Sequence, residues 1–471
     1  MTDYISSIDQ DSLNSLCEEI GKYNKINPAY FDRFQVKRGL RNSDGTGVMA
    51  GLTKICNVQG YYVSDGERVP IDGRLIYRGI DVREIISGCE QEGRFGFEEV
   101  VWLLLFGTLP SKRHLEIFKN VLAESRELPN EFIEDMIMKA PSHNIMNKLS
   151  RSVLALYSYD ENPDDISVEN VLRQSIQLLA QVPMIMSYAY QVKRRNFYHE
   201  SMYIHPVDKT LSTAESVLYS IRADKKFTPE EAHMLDICLM LHAEHGGGNN
   251  STFATRVLTS SGTDTYSAIS AGIGSLKGPK HGGANIKVAE MVEYIKQGVE
   301  DITDADQVAD FLKKILRKEA GDGSGLIYGM GHAVYTLSDP RAVILKEHAR
   351  KFAENTELED EFKLLELIET LTPNILEELR GDKKVMCANV DLYSGLVYKL
   401  LGIPEDLFTP LFTVARVAGW SAHRMEELMT GGKIIRPAYK SVCAQRKYVK
   451  LDERLDSYPG ELKYIPSDER A

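Results

Sequence analysis

Three histidines fall in one stretch, Leu241 to Asn285, which reads LHAEHGGGNNSTFATRVLTSSGTDTYSAISAGIGSLKGPKHGGAN. His242, His245 and His281 stand there beside two glycine runs and the amide pair Asn249-Asn250, out of only eleven histidines in 471 residues. Glycine lets backbone approach a ligand closely, and imidazole donates, accepts or moves protons near neutral pH. A second glycine-rich approach, GLIYGMGH, ends on His332. Close behind it, SDPR places Arg341 in the first turn of a helix, where a cation opposes the helix dipole. Asp391 opens another helix in NVD, a position where a plain N-cap is the simpler use of an aspartate. Arg416 lies within LFTVARVAGW with Phe412 and Trp420 on its own face, so its charge needs a buried partner or an anionic ligand. Arg436, in GGKIIRP, sits on a loop near the end and by itself reads as a solvated charge.

Competing chemistries are weaker. His242 and His245, at i and i+3, share a helix face as metal ligands do. The zinc-protease order is His-Glu-x-x-His, however, and the order here is His-Ala-Glu-His, with no C-x-x-C pair anywhere. His242 taken alone is equally well a packing residue. The run Gly246 to Gly248 lacks the Gly-Lys-Ser/Thr ending of a phosphate loop. Arginines, histidines and one aspartate without a metal signature suit a small polycarboxylate. Arginine forks bind carboxylates in pairs of bonds, and the histidines and aspartate can move protons.

Helices must position these groups. Thr228-Pro229-Glu230-Glu231 carries an N-cap, a first-turn proline and a capping-box acid, so a helix should run on through Leu241 and stop at the triple glycine. A second, rich in small residues, is expected around Ala268 to Leu276, broken by Gly278-Pro279. Upstream, helical lengths between breakers occur at Phe97 to Phe106, Leu115 to Leu128, Met146 to Tyr157, Val168 to Val192 with a kink at Pro183, and Leu211 to Ala223. Residues 1 to 30 read as a helical arm. A minor β-hairpin is expected near residues 55–80, with a turn signal at Ile71-Asp72-Gly73-Arg74. The expected class is therefore mainly α. Helical segments become more charged beyond His281 and apolar again at Leu411 to Met429. That pattern suggests a small helical domain, 284–401, inserted into a large one made of 1–283 and 402–471, with a cleft between them as the default site.

Composition narrows the partners. A net charge of -12 argues against nucleic acid or an anionic membrane as the main partner. The first twenty residues are acidic without an apolar core, unlike a secretory signal or transit peptide. Six scattered cysteines fit free thiols in a reducing compartment, and the expected location is cytoplasmic.

Taken together, VKRGLRNSDGTGV, GRLIYRGIDV, LHAEHGGGNNST, GPKHGGAN, YGMGHAVYTLSDPR, NVDLYSGLVY and GGKIIRPAYK resemble the citrate synthase family over almost the whole chain. The resemblance implies a mainly helical homodimer that condenses acetyl-CoA with oxaloacetate and needs no cofactor or metal. Its catalytic residues would be Asp391 as the base on the acetyl methyl group, His281 on the thioester oxygen and His332 on the ketone. His245, Arg341, Arg416 and Arg436 would bind oxaloacetate, Arg436 from across the dimer interface. Gly329, Met330 and Gly331 would line the CoA adenine pocket. One departure is that many members carry Lys or Arg between the GHAV-like segment and DPR, where this chain has Tyr335-Thr336-Leu337. The nearest rival is 2-methylcitrate synthase, which uses propionyl-CoA. Rivals of other classes are a metal-dependent hydrolase built on His242 and His245, and a non-catalytic acyl-CoA-binding protein.

Overall fold

Helices form where apolar residues recur at helical spacing between caps and breakers, and most of the expected ones are present. The computed structural model describes residues 9–42, 45–64, 67–381, 386–443 and 448–454. Helices occupy Phe97–Phe106, Lys112–Glu124, Ile145–Leu156, Val168–Lys193 with Pro183 inside, Thr213–Ile221, Pro229–His242 and Thr265–Leu276. The capping box at Thr228 and Glu231 is formed in both directions, with Pro229 in the first turn. Among the helices that the sequence reading did not name are Val82–Gln91 and Asn250–Thr259, the latter between the triple glycine and Thr265.

Contacts divide the chain into two compact units, residues 1–49 with 436–471, and residues 50–435. The first holds the helices Gln10–Tyr23 and Ala29–Arg33, and the Lys440 ammonium lies 5.6 Å from the Phe34 ring centre. The boundaries expected at 283/284 and 401/402 fall inside the second unit. Within it, the helices Ala284–Gly298, Ala305–Leu316, Pro340–Ala353, Glu359–Arg380 and Val390–Leu400 pack mainly on one another.

The core of the second unit is built around the helix Phe408–Thr430, every residue of which is buried from Phe408 to Met425. Its polar side chains over that span, Arg416, His423 and Arg424 among them, are buried with the apolar ones. It packs against Val168–Lys193, Asn250–Thr259, Phe97–Phe106, Thr265–Leu276 and Pro229–His242. The approaches are close enough to exclude side chains: a Cβ on Gly272 would meet the Trp420 ring at 2.9 Å.

The sheet is small, with β1 (Cys56–Ser64), β2 (Glu67–Tyr77) and β3 (Ile80–Asp81) in antiparallel order. The Asp72-Gly73 turn signal is overturned, because those residues lie inside β2. Between the pairs Gln59 with Arg74 and Tyr61 with Pro70, β1 advances two residues and β2 four, so the turn-prone residues form a bulge opposite Gly60. Residues 65 and 66, which join the strands, lie outside the described residues.

Candidate active site

The last carbonyls of a helix have no partner within it and must find one elsewhere. At the end of Pro229–His242, the Tyr77 hydroxyl donates to Met240 O and Glu244 O, each at 3.1 Å. Arg416 Nε donates to His242 O at 2.7 Å, and Gly419 N to Ala243 O at 3.1 Å. Two other elements thus clamp the segment that carries His245. His242 itself is a packed residue: its Nδ1 donates to Cys238 O at 2.7 Å, its ring meets Phe412 edge to face, and burial pushes its pKa down to about 3.

His245 is buried with its ring against those of His332 and Tyr335. Its ring centre lies 5.1 Å from His332, nearly perpendicular, and 5.6 Å from Tyr335. Burial, then the charge of Arg341, holds the His245 pKa well below the usual range, and its Nε2 is sealed from solvent without a partner among the described residues. His332 Nδ1 accepts from the backbone N–H of Val334 at 3.1 Å and of Tyr335 at 3.0 Å. A neutral His332 therefore carries its proton on Nε2, where it can be donated.

The two buried arginines of the expected site differ. Arg341 forks onto Asp339, with Nε to Oδ1 at 3.0 Å and Nη2 to Oδ2 at 2.7 Å, so only its Nη1 edge is left for a ligand. Arg416 is fully buried over the Phe412 ring, and both of its Nη atoms lack a partner among the described residues. Burial lowers its pKa to about 10. A buried guanidinium with two idle donors is a poor structural element and a good receptor for a carboxylate.

His281 follows the helix Thr265–Leu276 and places Nε2 3.0 Å from Ser251 Oγ. Ser251 also accepts from Trp420 Nε1 at 3.2 Å and lies 2.9 Å from Asn249 Oδ1. One hydroxyl proton thus faces two acceptors, and its rotation selects which His281 nitrogen holds the imidazole proton. Burial pushes the His281 pKa down to about 4, and Arg416 pulls in the same direction.

Asn389, not Asp391, caps the helix Val390–Leu400, its side chain accepting from Asp391 N at 3.0 Å. The Asp391 carboxylate is thereby released from capping, and its Oδ1 is buried without a partner among the described residues. Burial pushes its pKa up to about 7. Gly329, Met330 and Gly331 tie the His332 segment to this helix: Asn389 N donates to Gly329 O at 2.9 Å, Gly331 N to Cys387 O at 2.8 Å, and Asn389 Nδ2 to Gly331 O at 2.9 Å. Gly329 has φ +82°, and a Cβ there would meet Leu392 Cα at 2.9 Å, so the close approach requires glycine.

His245, His281, His332, Arg341, Arg416 and Asp391 all lie in the 50–435 unit, where the charges of Arg341, Arg416, His332 and His281 bear on His245, and those of Arg341 and Arg416 on Asp391. Arg436 is exposed on irregular backbone and belongs to the other unit. The sequence reading missed Ser251, Asp339, Tyr335 and the buried pair of Glu244 Oε1 and His423 Nε2 at 3.0 Å. Asp339, next to the proline of a helix start, and Tyr335, at the departure from the family pattern, left local signals. Among the described residues no group of three or more His, Cys, Asp or Glu side chains could hold a metal ion, and no helix is long and apolar enough to cross a membrane.

Known proteins share this arrangement of chain. The family model described as citrate synthase, C-terminal domain, matches residues 42–438. A citrate synthase of Synechocystis is 34% identical over 413 residues, covering 87% of this chain and 93% of its own. The 2-methylcitrate synthase 1 of Corynebacterium glutamicum is 31% identical over 423 residues, covering 89% and 99%. Among solved structures, a ternary complex of carboxymethyl coenzyme A and oxaloacetate with the citrate synthase of Thermoplasma acidophilum is similar with a TM-score of 0.71 at 26% identity, over 89% of this chain and 99% of that one.

Proposed function

Because the chain belongs to the citrate synthase family, we propose that this acyltransferase condenses acetyl-CoA with oxaloacetate and water to give citrate and CoA. The observation that carries the reading is Arg416, a buried cation whose two idle Nη donors await a carboxylate. His245 Nε2 and the free edge of Arg341 complete the reception of the keto acid. The partner subunit's Arg436 supplies a further cation in a homodimer. Asp391, about half of it ionised near neutral pH, takes a proton in its carboxylate form from the methyl carbon of the thioester. Negative charge then gathers on the thioester oxygen, where His281 donates from Nδ1 once Ser251 turns its hydroxyl to Nε2. The enolate carbon attacks the ketone carbon of oxaloacetate as His332 Nε2–H supplies a proton to the ketone oxygen. Water finally cleaves the citryl thioester to free carboxylate and thiol. On this reading Gly329, Met330 and Gly331 line the adenine pocket of CoA, and 284–401 is a small domain closing over the cleft. The enzyme is a cytoplasmic one that needs no metal or organic cofactor.

A second reading, 2-methylcitrate synthase acting on propionyl-CoA, has specific support in a relative such as that of Corynebacterium glutamicum. One experiment separates the readings: release of free thiol from acetyl-CoA and from propionyl-CoA, each with and without oxaloacetate and with a chelator present. The expected result is oxaloacetate-dependent release with a higher kcat/KM for acetyl-CoA. A higher value for propionyl-CoA would transfer the assignment, and release that ignores oxaloacetate would overturn both.

A further inference from the structure

Tyr335 occupies a notch that the hairpin makes by having no side chains there. A Cβ on Gly60 would meet Val334 O at 2.6 Å and Tyr335 Cα at 3.0 Å; one on Gly73 would meet Ser338 O at 2.1 Å and the Tyr335 ring at 2.7 Å. Both glycines lie at the bulge, where β2 carries extra residues opposite Gly60. The backbone is latched as well, since Gly73 N donates to Ser338 Oγ at 3.1 Å and Ser338 Oγ to Asp72 Oδ1 at 3.0 Å. The Tyr335 hydroxyl donates to Arg74 O at 3.3 Å, and the side chain is only 2% exposed.

From this seat Tyr335 holds His332 in two ways. Its ring stacks on the imidazole, with centres 4.6 Å apart and planes 26° apart, and its backbone N–H occupies His332 Nδ1. The stack fixes the plane of the imidazole, while the N–H keeps the transferable proton on Nε2. We propose that Tyr335, seated on the glycine notch of the hairpin, is the positioning residue that aims His332 Nε2–H at the ketone oxygen of the acceptor. The hairpin thus becomes part of the catalytic apparatus without touching substrate. The inference rests on the oxaloacetate reading above.

The test uses the whole enzyme and oxaloacetate labelled with carbon-13 at the ketone, whose resonance moves downfield when the carbonyl is polarised. Wild type should displace the resonance on binding, and Tyr335→Phe, which keeps the ring, should preserve most of the displacement. Tyr335→Leu should lose most of it, with kcat down roughly tenfold to a hundredfold, as for a misaimed proton donor, and the acyl-CoA KM within about twofold of wild type. If Tyr335→Leu does not fold, Tyr335→Met is read in the same way. Wild-type displacement and kcat in the ring-less variant would overturn the proposal, as would equal losses in Tyr335→Phe. A wild-type enzyme that leaves the resonance unmoved refutes the oxaloacetate reading itself, and this is seen before any substitution is made.

Discussion

At the scale of single residues, burial changes what a carboxyl can do. Asp391 is pushed up to about 7 chiefly by loss of water, with Arg341 and Arg416 pulling the other way. A group in this range is half ionised where the enzyme works, which suits a base that must take a proton and later return it. The folded state binds this proton more tightly than the unfolded chain does, so the contribution to stability is present at low pH. It declines as pH rises from the ordinary aspartate value through about 7. Asp391→Asn should therefore abolish turnover while keeping oxaloacetate binding, and should also unfold at higher denaturant than wild type above neutrality. The rise from the ordinary aspartate value to about 7 sets a ceiling of roughly 4 kcal/mol on that gain. The difference should vanish near pH 4, checked by urea unfolding at both pH values. For wild type, kcat/KM should climb as pH passes through about 7, and a flat profile there would remove Asp391 from the role of base.

At the scale of elements, the site depends on the helix Phe408–Thr430 lying almost against the end of Pro229–His242. Gly419 is the point of contact: an added Cβ would come within 2.1 Å of Glu244 Oε2 and 2.6 Å of Ala243 O. Neither group can retreat cheaply. Glu244 is held by Gly246 N and His423, and Ala243 O by the Gly419 N–H itself. Gly419→Ala should destabilise the protein by about 1–3 kcal/mol, the usual cost of overpacking. The KM for oxaloacetate should rise as well, because Arg416 lies one turn away on the displaced helix. Steady-state kinetics beside thermal unfolding would check both effects, and a stable variant with unchanged KM would show that the helices can part without disturbing the arginine.

For the whole molecule, on the proposed reading, Arg436 serves the neighbouring subunit's site, which makes the dimer obligatory for activity. Chains carrying Asp391→Ala and chains carrying Arg436→Ala should each be inactive as homodimers. Unfolded together and reassembled, about half the dimers should be mixed, each with one intact site of two, so about a quarter of wild-type activity should return. Mixed dimers shown to be present but inactive would mean that Arg436 acts within its own chain.

The order of motifs and the helical class were legible in the amino-acid sequence alone, and it named His245, His281, His332, Arg341, Arg416 and Asp391 as candidates, though not Ser251 or the pair Glu244 and His423. Those signals are local: Thr228 with Glu231 starts a helix wherever the chain goes, and an arginine between Phe412 and Trp420 demands burial with a ligand or partner. The rest was settled only by the folded chain, because the deciding contacts are long-range. Thr255 and Thr259 look wrong for a buried helix until their hydroxyls bond Ser251 O and Thr255 O one turn back, so Asn250–Thr259 was not legible. Asp72-Gly73 has the composition of a turn, yet it forms a bulge, because Gly60 on the facing strand and Tyr335 far along the chain settle what those residues do. Glu244 and His423 stand 179 residues apart, and only packing makes them a pair.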